Sequence, residues 1–202
     1  MRRRRGAVIA KRGFDLVLAS LLLVIAAPLI LAIALAIKID SPGAVLFRSP
    51  RIGRGGKLFG MLKFRTMVDR AHGQRDGLRH LSDAPEGVFK IRNDPRVTRV
   101  GKVLRRVSLD EMPQLWHVIT GEMSLVGPRP LPPEEDELIE DDAPRTFVRP
   151  GLTGPWQVAG SWRIPLDEML RLEREYLENW SLVADLKLLA VTFKYVLRAR
   201  GV

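Results

Sequence analysis

The chain has 202 residues, with 33 Lys and Arg against 23 Asp and Glu for a net charge of +10. That length holds one sizeable core, and the positive excess implies anionic partners: acidic lipid, phosphorylated substrate or nucleic acid. Without cysteine there is neither a disulfide framework nor thiolate chemistry, and three scattered histidines (His72, His80, His117) do not make a zinc site. Any metal should be a hard cation held by oxygen ligands.

The N-terminus is basic (Arg2 to Arg5, Lys11, Arg12) and then runs from Leu16 to Ile37 without a charge, close to the roughly 20 residues that span a bilayer. A secretory signal peptide begins in the same way, but its apolar core is shorter, and the basic, cysteine-free remainder reads as cytoplasmic. Pro28 lies inside the run, where it removes a helix hydrogen bond and clashes with the preceding turn, so a break or kink is expected there. Each half would be roughly 14–18 Å long, too short to cross a hydrocarbon core of about 30 Å. Basic residues also follow the run (Lys38, Arg48, Arg51, Arg54, Lys57), and a spanning helix would leave one basic flank on the wrong side. A helix that bends at Pro28 and returns keeps both flanks cytoplasmic. The expectation is therefore a re-entrant membrane helix within residues 1–40, followed by a cytoplasmic-face domain over 41–202.

After the turn signal Asp40-Ser41-Pro42-Gly43, residues 45–48 and 58–64 read as short strands about Gly53-Arg54-Gly55-Gly56, a plausible hairpin. KFRTM follows, in which Lys63 or Arg65 could face a phosphate or simply end a strand at the surface. Residues 69–94 are charged, Gly-rich and aperiodic, and read as a mobile surface loop. Arg99, Lys102 and Arg106 at i, i+3, i+7 share one helix face.

Residues 104–130, LRRVSLDEMPQLWHVITGEMSLVGPRP, carry the chemistry. Asp110 and Glu111 are adjacent, preceded by Arg105-Arg106 and followed by the rigid turn Gly127-Pro128-Arg129-Pro130. Two local frames are open. Ser108 and Glu111 have the spacing of a capping box; alternatively the helix begins at Pro113, which fits best at a first helical position, and leaves both carboxylates free. An aspartate can attack phosphorus and form an acyl phosphate, dividing one transfer into two easier steps. A carboxylate approaching a phosphate needs cations beside it. Arg105, Arg129 and Mg²⁺ would supply them, with Glu111 as an oxygen ligand to the metal.

The acidic run 134–142 reads as a solvated helix, and Gly151-Leu152-Thr153-Gly154-Pro155 as a loop able to offer backbone N–H groups. Residues 166–179 form a helix with charged faces. Residues 182–200 combine an apolar side with Lys187, Lys194, Arg198 and Arg200. That pattern suits a helix lying in a membrane interface, and equally a terminal helix packed on the core. The expected class is α/β, mostly helical with a small β-hairpin or sheet, a re-entrant helix and amphipathic interfacial helices.

Several segments in order extend the reading: the proline-broken apolar run, KFRTM, RVTRVGKVLRR, SLDEMPQLWHVITGEMSLVGPRPL, VRPGLTGPWQV and ENWSLVADLKLL. Together they resemble the bacterial sugar transferase family, the monotopic polyprenyl-phosphate phosphoglycosyl transferases, over nearly the whole chain and at the size of its minimal catalytic unit. The resemblance implies transfer of a sugar-1-phosphate from a UDP-sugar to polyprenyl (undecaprenyl) phosphate at the membrane lipid surface, releasing UMP and initiating a membrane-linked glycan. It implies Asp110 as nucleophile, Glu111 as Mg²⁺ ligand, and Arg105, Lys63 and Arg129 as phosphate-binding residues. Arg145 and Arg149 match the region near the nucleotide. Departures from the family pattern are Ala27 for Ser before Pro28, Ser49 for Gln, His117 for Asn and Glu122 for Asp. One-step transfer with Asp110 as base is the alternative within enzymes. A non-enzymatic membrane scaffold is the alternative outside them. A nucleic-acid binder fits the charge but not the apolar run.

Overall fold

The longest uncharged run becomes the longest element. The computed structural model describes residues 2–69, 71–74, 76–81, 91, 93–137, 139, 143–160 and 164–197. In it, α1 (Arg2–Asp40) is one helix with Pro28 inside. Of the break or kink expected at Pro28, the break does not occur: the helix runs through it. A proline removes one donor, and the Leu, Ile and Ala residues on both sides continue the helical hydrogen bonding.

The two ends of α1 are packed, and its middle is mostly open apart from Leu23 and Ile30, which touch the flanking cores. Ala19 joins a core with Met61, Val118, Met123 and Leu125, while Ile33 and Ile37 join a second with Phe64 and Leu104. Between them Leu21, Leu22, Val24, Ile25, Leu29 and Leu31 are exposed. This excludes the buried core helix of an ordinary soluble protein, whose apolar residues would be covered. Polar contacts fasten both ends as well. Lys11 donates to Asp185 (2.7 Å), Arg12 to the carbonyls of Val118 and Ile119 (2.6 and 3.0 Å), and Ser124 Oγ to Asp15 (2.8 Å). At the other end the Val100 N–H donates to Asp40 (3.0 Å).

The expected hairpin forms from β1 (Leu46–Ile52) and β2 (Leu58–Phe64), antiparallel with Leu46 opposite Phe64 and Ile52 opposite Leu58. Two short 3₁₀ turns, Ala71–Gln74 and Asp76–Leu81, occupy the start of the segment read as an unstructured loop, and residues 82–90 of it lie outside the described residues. Next comes α2 (Arg99–Arg106), with Thr98 Oγ1 accepting from the Gly101 N–H as an N-cap. A Cβ at Gly101 would overlap the Thr66 backbone, so glycine alone lets α2 lie directly on the end of β2.

A 3₁₀ turn (Leu109–Gln114) carries the carboxylates and leads into α3 (Leu115–Thr120), closed by Gly121 at φ +92°. A second sheet pairs β3 (Ser124–Val126) with β4 (Gly151–Thr153) in parallel. The crossover between them includes the short helices α4 (Pro133–Asp136) and α5 (Ala143–Thr146). Part of the acidic run, residues 138 and 140–142, lies outside the described residues. The chain ends in α6 (Pro155–Ala159), α7 (Leu166–Glu178) and α8 (Leu182–Leu197). The terminal helix packs on the core, as one of its two sequence readings expected, and its other side is left open. One side of α8 packs Leu188 and Leu189 on the core and buries Asp185, while the other exposes Val183, Leu186 and Phe193 beside Lys187 and Lys194. Arg198 and Arg200 lie outside the described residues. The fold is thus mostly helical with two small sheets, as expected.

Candidate active site

Neither sequence frame describes the carboxylate turn. Ser108 takes a left-handed conformation (φ 55°, ψ 22°) and makes no capping hydrogen bond, while both carboxylates lie in the first turn of the 3₁₀ segment. A left-handed serine is strained. It turns the chain sharply out of α2, and Glu111 is left to reach across to β2. There Lys63 Nζ donates to Glu111 Oε1 at 2.6 Å. The ion pair and the nearby Arg129 and Arg51 hold the Glu111 carboxyl below its usual range despite the opposing effect of burial.

Asp110 behaves oppositely. Burial, reinforced by the adjacent Glu111 charge, raises it from the ordinary 3.8 to about 6, against the opposing pull of Lys63 and Arg105. Two neighbouring carboxylates pushed apart in this way divide naturally into different roles. Arg105 comes from the last turn of α2, where its Nε donates to Thr66 Oγ1 (2.9 Å), and its charge acts on Asp110.

Arg129 is held by its backbone. Its N–H donates to Glu173 Oε1 (2.7 Å) and its carbonyl accepts from Arg145 (2.6 Å), while its guanidinium lies 4.4 Å from the Trp156 ring centroid. Glu173 also accepts from Arg145 (3.0 Å), and Asp136 takes a second Arg145 nitrogen (3.0 Å). Arg145 therefore fixes the Pro-Arg-Pro turn from behind. Arg149 donates to the Gly121 carbonyl (2.8 Å) at the C-terminal end of α3, the end away from the carboxylates. Arg65 donates to the carbonyls of Ser41 (2.8 Å) and Pro42, clasping the link that leaves α1. The sequence-predicted set divides accordingly. Asp110, Glu111, Lys63, Arg105 and Arg129 share one electrostatic neighbourhood, while Arg65, Arg145 and Arg149 are committed to backbone carbonyls and, for Arg145, buried acids.

His117 has a definite role that its sequence position left open. Its Nε2 accepts from the Leu62 N–H (2.9 Å), so Nδ1 carries the proton toward Glu122 Oε2 (2.7 Å). The imidazole thus ties α3 to β2 at the residue next to Lys63. His117 and Glu122, the two departures from the family pattern in this region, are partners.

Arg51 is the cation to which the sequence motifs assign no role beyond its place in the 47–53 segment and the basic flank. It is the largely buried neighbour of Arg129, and burial together with the Arg129 charge lowers it to about 10. Opposed strand residues share a face, so Arg51 opposite Phe59 and Lys63 opposite Phe47 project from the same face of the hairpin. The available signal was therefore the hairpin register itself.

The donor set can be tested for a metal. Among the described residues no group of three or more His, Asp or Glu side chains converges, which argues against an all-protein cage. Two adjacent carboxylates whose repulsion is incompletely offset fit Mg²⁺, which takes one or two carboxylates and completes its sphere with water and phosphate oxygens.

An apolar helix with an exposed middle, fastened at both ends, thus lies beside one cluster of acids and cations. The family model for bacterial sugar transferases matches residues 6–199, and the chain belongs to that family. It is 43% identical to the exopolysaccharide production protein ExoY of Rhizobium meliloti, over 95% of this chain and 87% of that protein. It is 44% identical to a UDP-glucose:undecaprenyl-phosphate glucose-1-phosphate transferase of Caulobacter vibrioides, over 90% of this chain and 67% of that one. Identity to an undecaprenyl-phosphate galactose phosphotransferase of Salmonella typhimurium is 40%, over 98% of this chain and 42% of the other. The chain spans less than half the length of several such longer relatives.

Proposed function

We propose that this protein is a phosphoglycosyl transferase that moves a sugar-1-phosphate from a UDP-sugar to undecaprenyl phosphate on the cytoplasmic face of the bacterial inner membrane. The observation that carries the reading is the division of the carboxylate pair. Asp110 is flanked by Arg105 and Lys63, and Glu111 is ionised against Lys63. Relatives named for undecaprenyl-phosphate sugar transfer supply the substrate class.

The reaction proceeds in two displacements. An Asp110 carboxylate oxygen bonds to the β-phosphorus, the bond to the bridging oxygen breaks, and UMP departs with that electron pair. A phosphate oxygen of undecaprenyl phosphate then bonds to the same phosphorus, and the Asp110 carboxylate is restored. Lys63 and Arg105 offset the charge that otherwise repels a carboxylate from a diphosphate. Glu111 would hold Mg²⁺ together with substrate oxygens; when bound, the ion supplies further charge neutralisation on the phosphates.

The re-entrant course is part of this proposal. Between the buried Ala19 and Ile33, residues 20–32 are mostly exposed, with Leu23 and Ile30 half-buried against the two cores, and span roughly 20 Å of helix, against a hydrocarbon core of about 30 Å. Fastening of both ends to the same body keeps both flanks on one side.

The test is UMP release with UDP-glucose and UDP-galactose in the presence of undecaprenyl phosphate. Release by the wild type and its loss in Asp110→Asn are expected; equal rates in both would overturn the assignment. Mass spectrometry after incubation with UDP-sugar alone should find a sugar-phosphate adduct on Asp110. Turnover without any adduct would favour the one-step route with Asp110 as base, and no turnover by the wild type would favour a scaffold.

A further inference from the structure

We propose that Arg51 and Arg129 together form a phosphate-monoester clamp, which receives the phosphate of the departing nucleotide and then holds the phosphate of the incoming lipid acceptor. The proposal rests on the phosphoglycosyl transfer reading and assigns Arg51, from the hairpin, to it.

The case begins with absent partners. Arg51 and Arg129 both bury Nε, and in neither does that atom find a hydrogen-bond partner among the described residues. Arg65 shares the unpartnered buried Nε, but its terminal nitrogens donate to the Ser41 and Pro42 carbonyls, and Arg96 rests on Asp94, Arg145 on Glu173 and Asp136, and Arg149 on the Gly121 carbonyl. The Arg129 guanidinium rests on the Trp156 ring instead of on a carboxylate. Two mutually repelling guanidinium groups face Glu111, whose own ion pair is with Lys63. Buried donors are ordinarily satisfied, and a pair of forked donors left open matches a phosphate dianion.

The electrostatic neighbours then sort the site into two lobes. Arg105 and Lys63 act on Asp110, while Lys63, Arg129 and Arg51 act on Glu111. Lys63 is common to both. A diphosphate can place its reacting phosphorus at Asp110 and its second phosphate at the Arg51–Arg129 lobe.

In-line displacement gives that second lobe two occupants. In the first step Asp110 attacks from one apex and the nucleotide phosphate leaves at the opposite apex. In the second step Asp110 is the leaving group, so the attacking oxygen must arrive at the apex that the nucleotide vacated. Both species there are phosphate monoesters, one on a nucleoside and one on a lipid. A single clamp thus serves both half-reactions, and the two ligands compete for it.

The experiment uses the full chain in nanodiscs with UMP, uridine and a short-chain polyprenyl phosphate as probes. Calorimetry on the wild type should give UMP binding well above uridine binding. Arg51→Gln should weaken UMP roughly 10- to 100-fold, the effect of losing a charge-assisted contact, and leave uridine unchanged. Arg51→Lys should recover part of the loss. Thermal unfolding separates binding from folding. Without ligand Arg51→Gln should melt no lower than the wild type, because it removes an unpaired buried charge, and the melting gain given by UMP should vanish. Polyprenyl phosphate should displace UMP competitively from the wild type.

Unaltered UMP affinity in a folded Arg51→Gln that still turns over UDP-sugar would overturn the clamp and leave the proposed function standing. A drop in melting temperature with unaltered UMP affinity would make Arg51 structural. Simultaneous binding of UMP and polyprenyl phosphate would overturn the shared lobe. Arg51-dependent UMP binding by a wild type with no turnover would keep the clamp for the nucleotide and remove the reaction.

Discussion

Asp110 is held at about 6, above the ordinary aspartate value of 3.8, chiefly by burial. The folded protein therefore binds this proton more tightly than the unfolded chain, and stability from this group is lost as pH rises from about 4 through 6. At pH 8 the poorly solvated charge therefore works against the fold in the absence of a divalent cation. Asp110→Asn should accordingly melt higher than the wild type in chelator at pH 8. The gap should close as pH falls below the unfolded value of 3.8, where the wild-type carboxyl is protonated in both states. A lower melting temperature for the variant at pH 8 would show that the carboxylate is compensated. The same residue would then be both the site of chemistry and a stability defect, as expected where function requires a poorly solvated charge. Its neighbour Glu111 differs because Lys63 reaches it directly at 2.6 Å.

At the scale of elements, the site is a junction of three short pieces. β2 supplies Lys63, α2 supplies Arg105, and the 3₁₀ turn after Ser108 supplies the carboxylates. Their spacing depends on Gly101, where any Cβ meets the Thr66 backbone. Gly101→Ala must push α2 off the end of β2 and should destabilise the protein by about 1–3 kcal/mol. It should also lower kcat/KM more than a variant of equal instability placed elsewhere, because Arg105 bonds Thr66 across that contact. Equal losses in the two variants would make Gly101 a packing residue alone. The capping-box spacing of Ser108 and Glu111 was a fair local signal. The long-range pull of Lys63 on Glu111 and the left-handed turn at Ser108 replaced it.

For the whole molecule, the decisive feature is that α1 is fastened to one body at both ends. Lys11, Arg12 and Asp15 hold the N-terminal part, and Ile33, Ile37 and Asp40 hold the C-terminal part. The exposed apolar middle of α1 and the exposed Val183, Leu186 and Phe193 of α8 are surfaces that water leaves unsatisfied and lipid would cover. The chain has no cysteine, so single cysteines report cleanly. Gly6→Cys and Lys57→Cys, on opposite flanks of the apolar run, should both resist a membrane-impermeant maleimide in intact cells and both react after permeabilisation. Labelling of Gly6→Cys alone in intact cells would establish a spanning helix.

The sequence by itself determined the membrane segment, the hairpin, the helical terminus and the acids and cations with a short motif around them: Asp110, Glu111, Lys63, Arg105 and Arg129. Those features are written in local patterns, namely uncharged length, turn residues and adjacent charges. What only the tertiary structure decided is the partner of each cation. Arg65, Arg145 and Arg149 look no different in sequence from Arg105 and Arg129, yet their guanidinium groups close on carbonyls and buried acids. Arg51 looked like a membrane-flanking charge, yet the hairpin register turns it toward Glu111 and Arg129. The charge of an arginine is a property of the residue, whereas its counter-charge is brought to it by contacts distant in the chain.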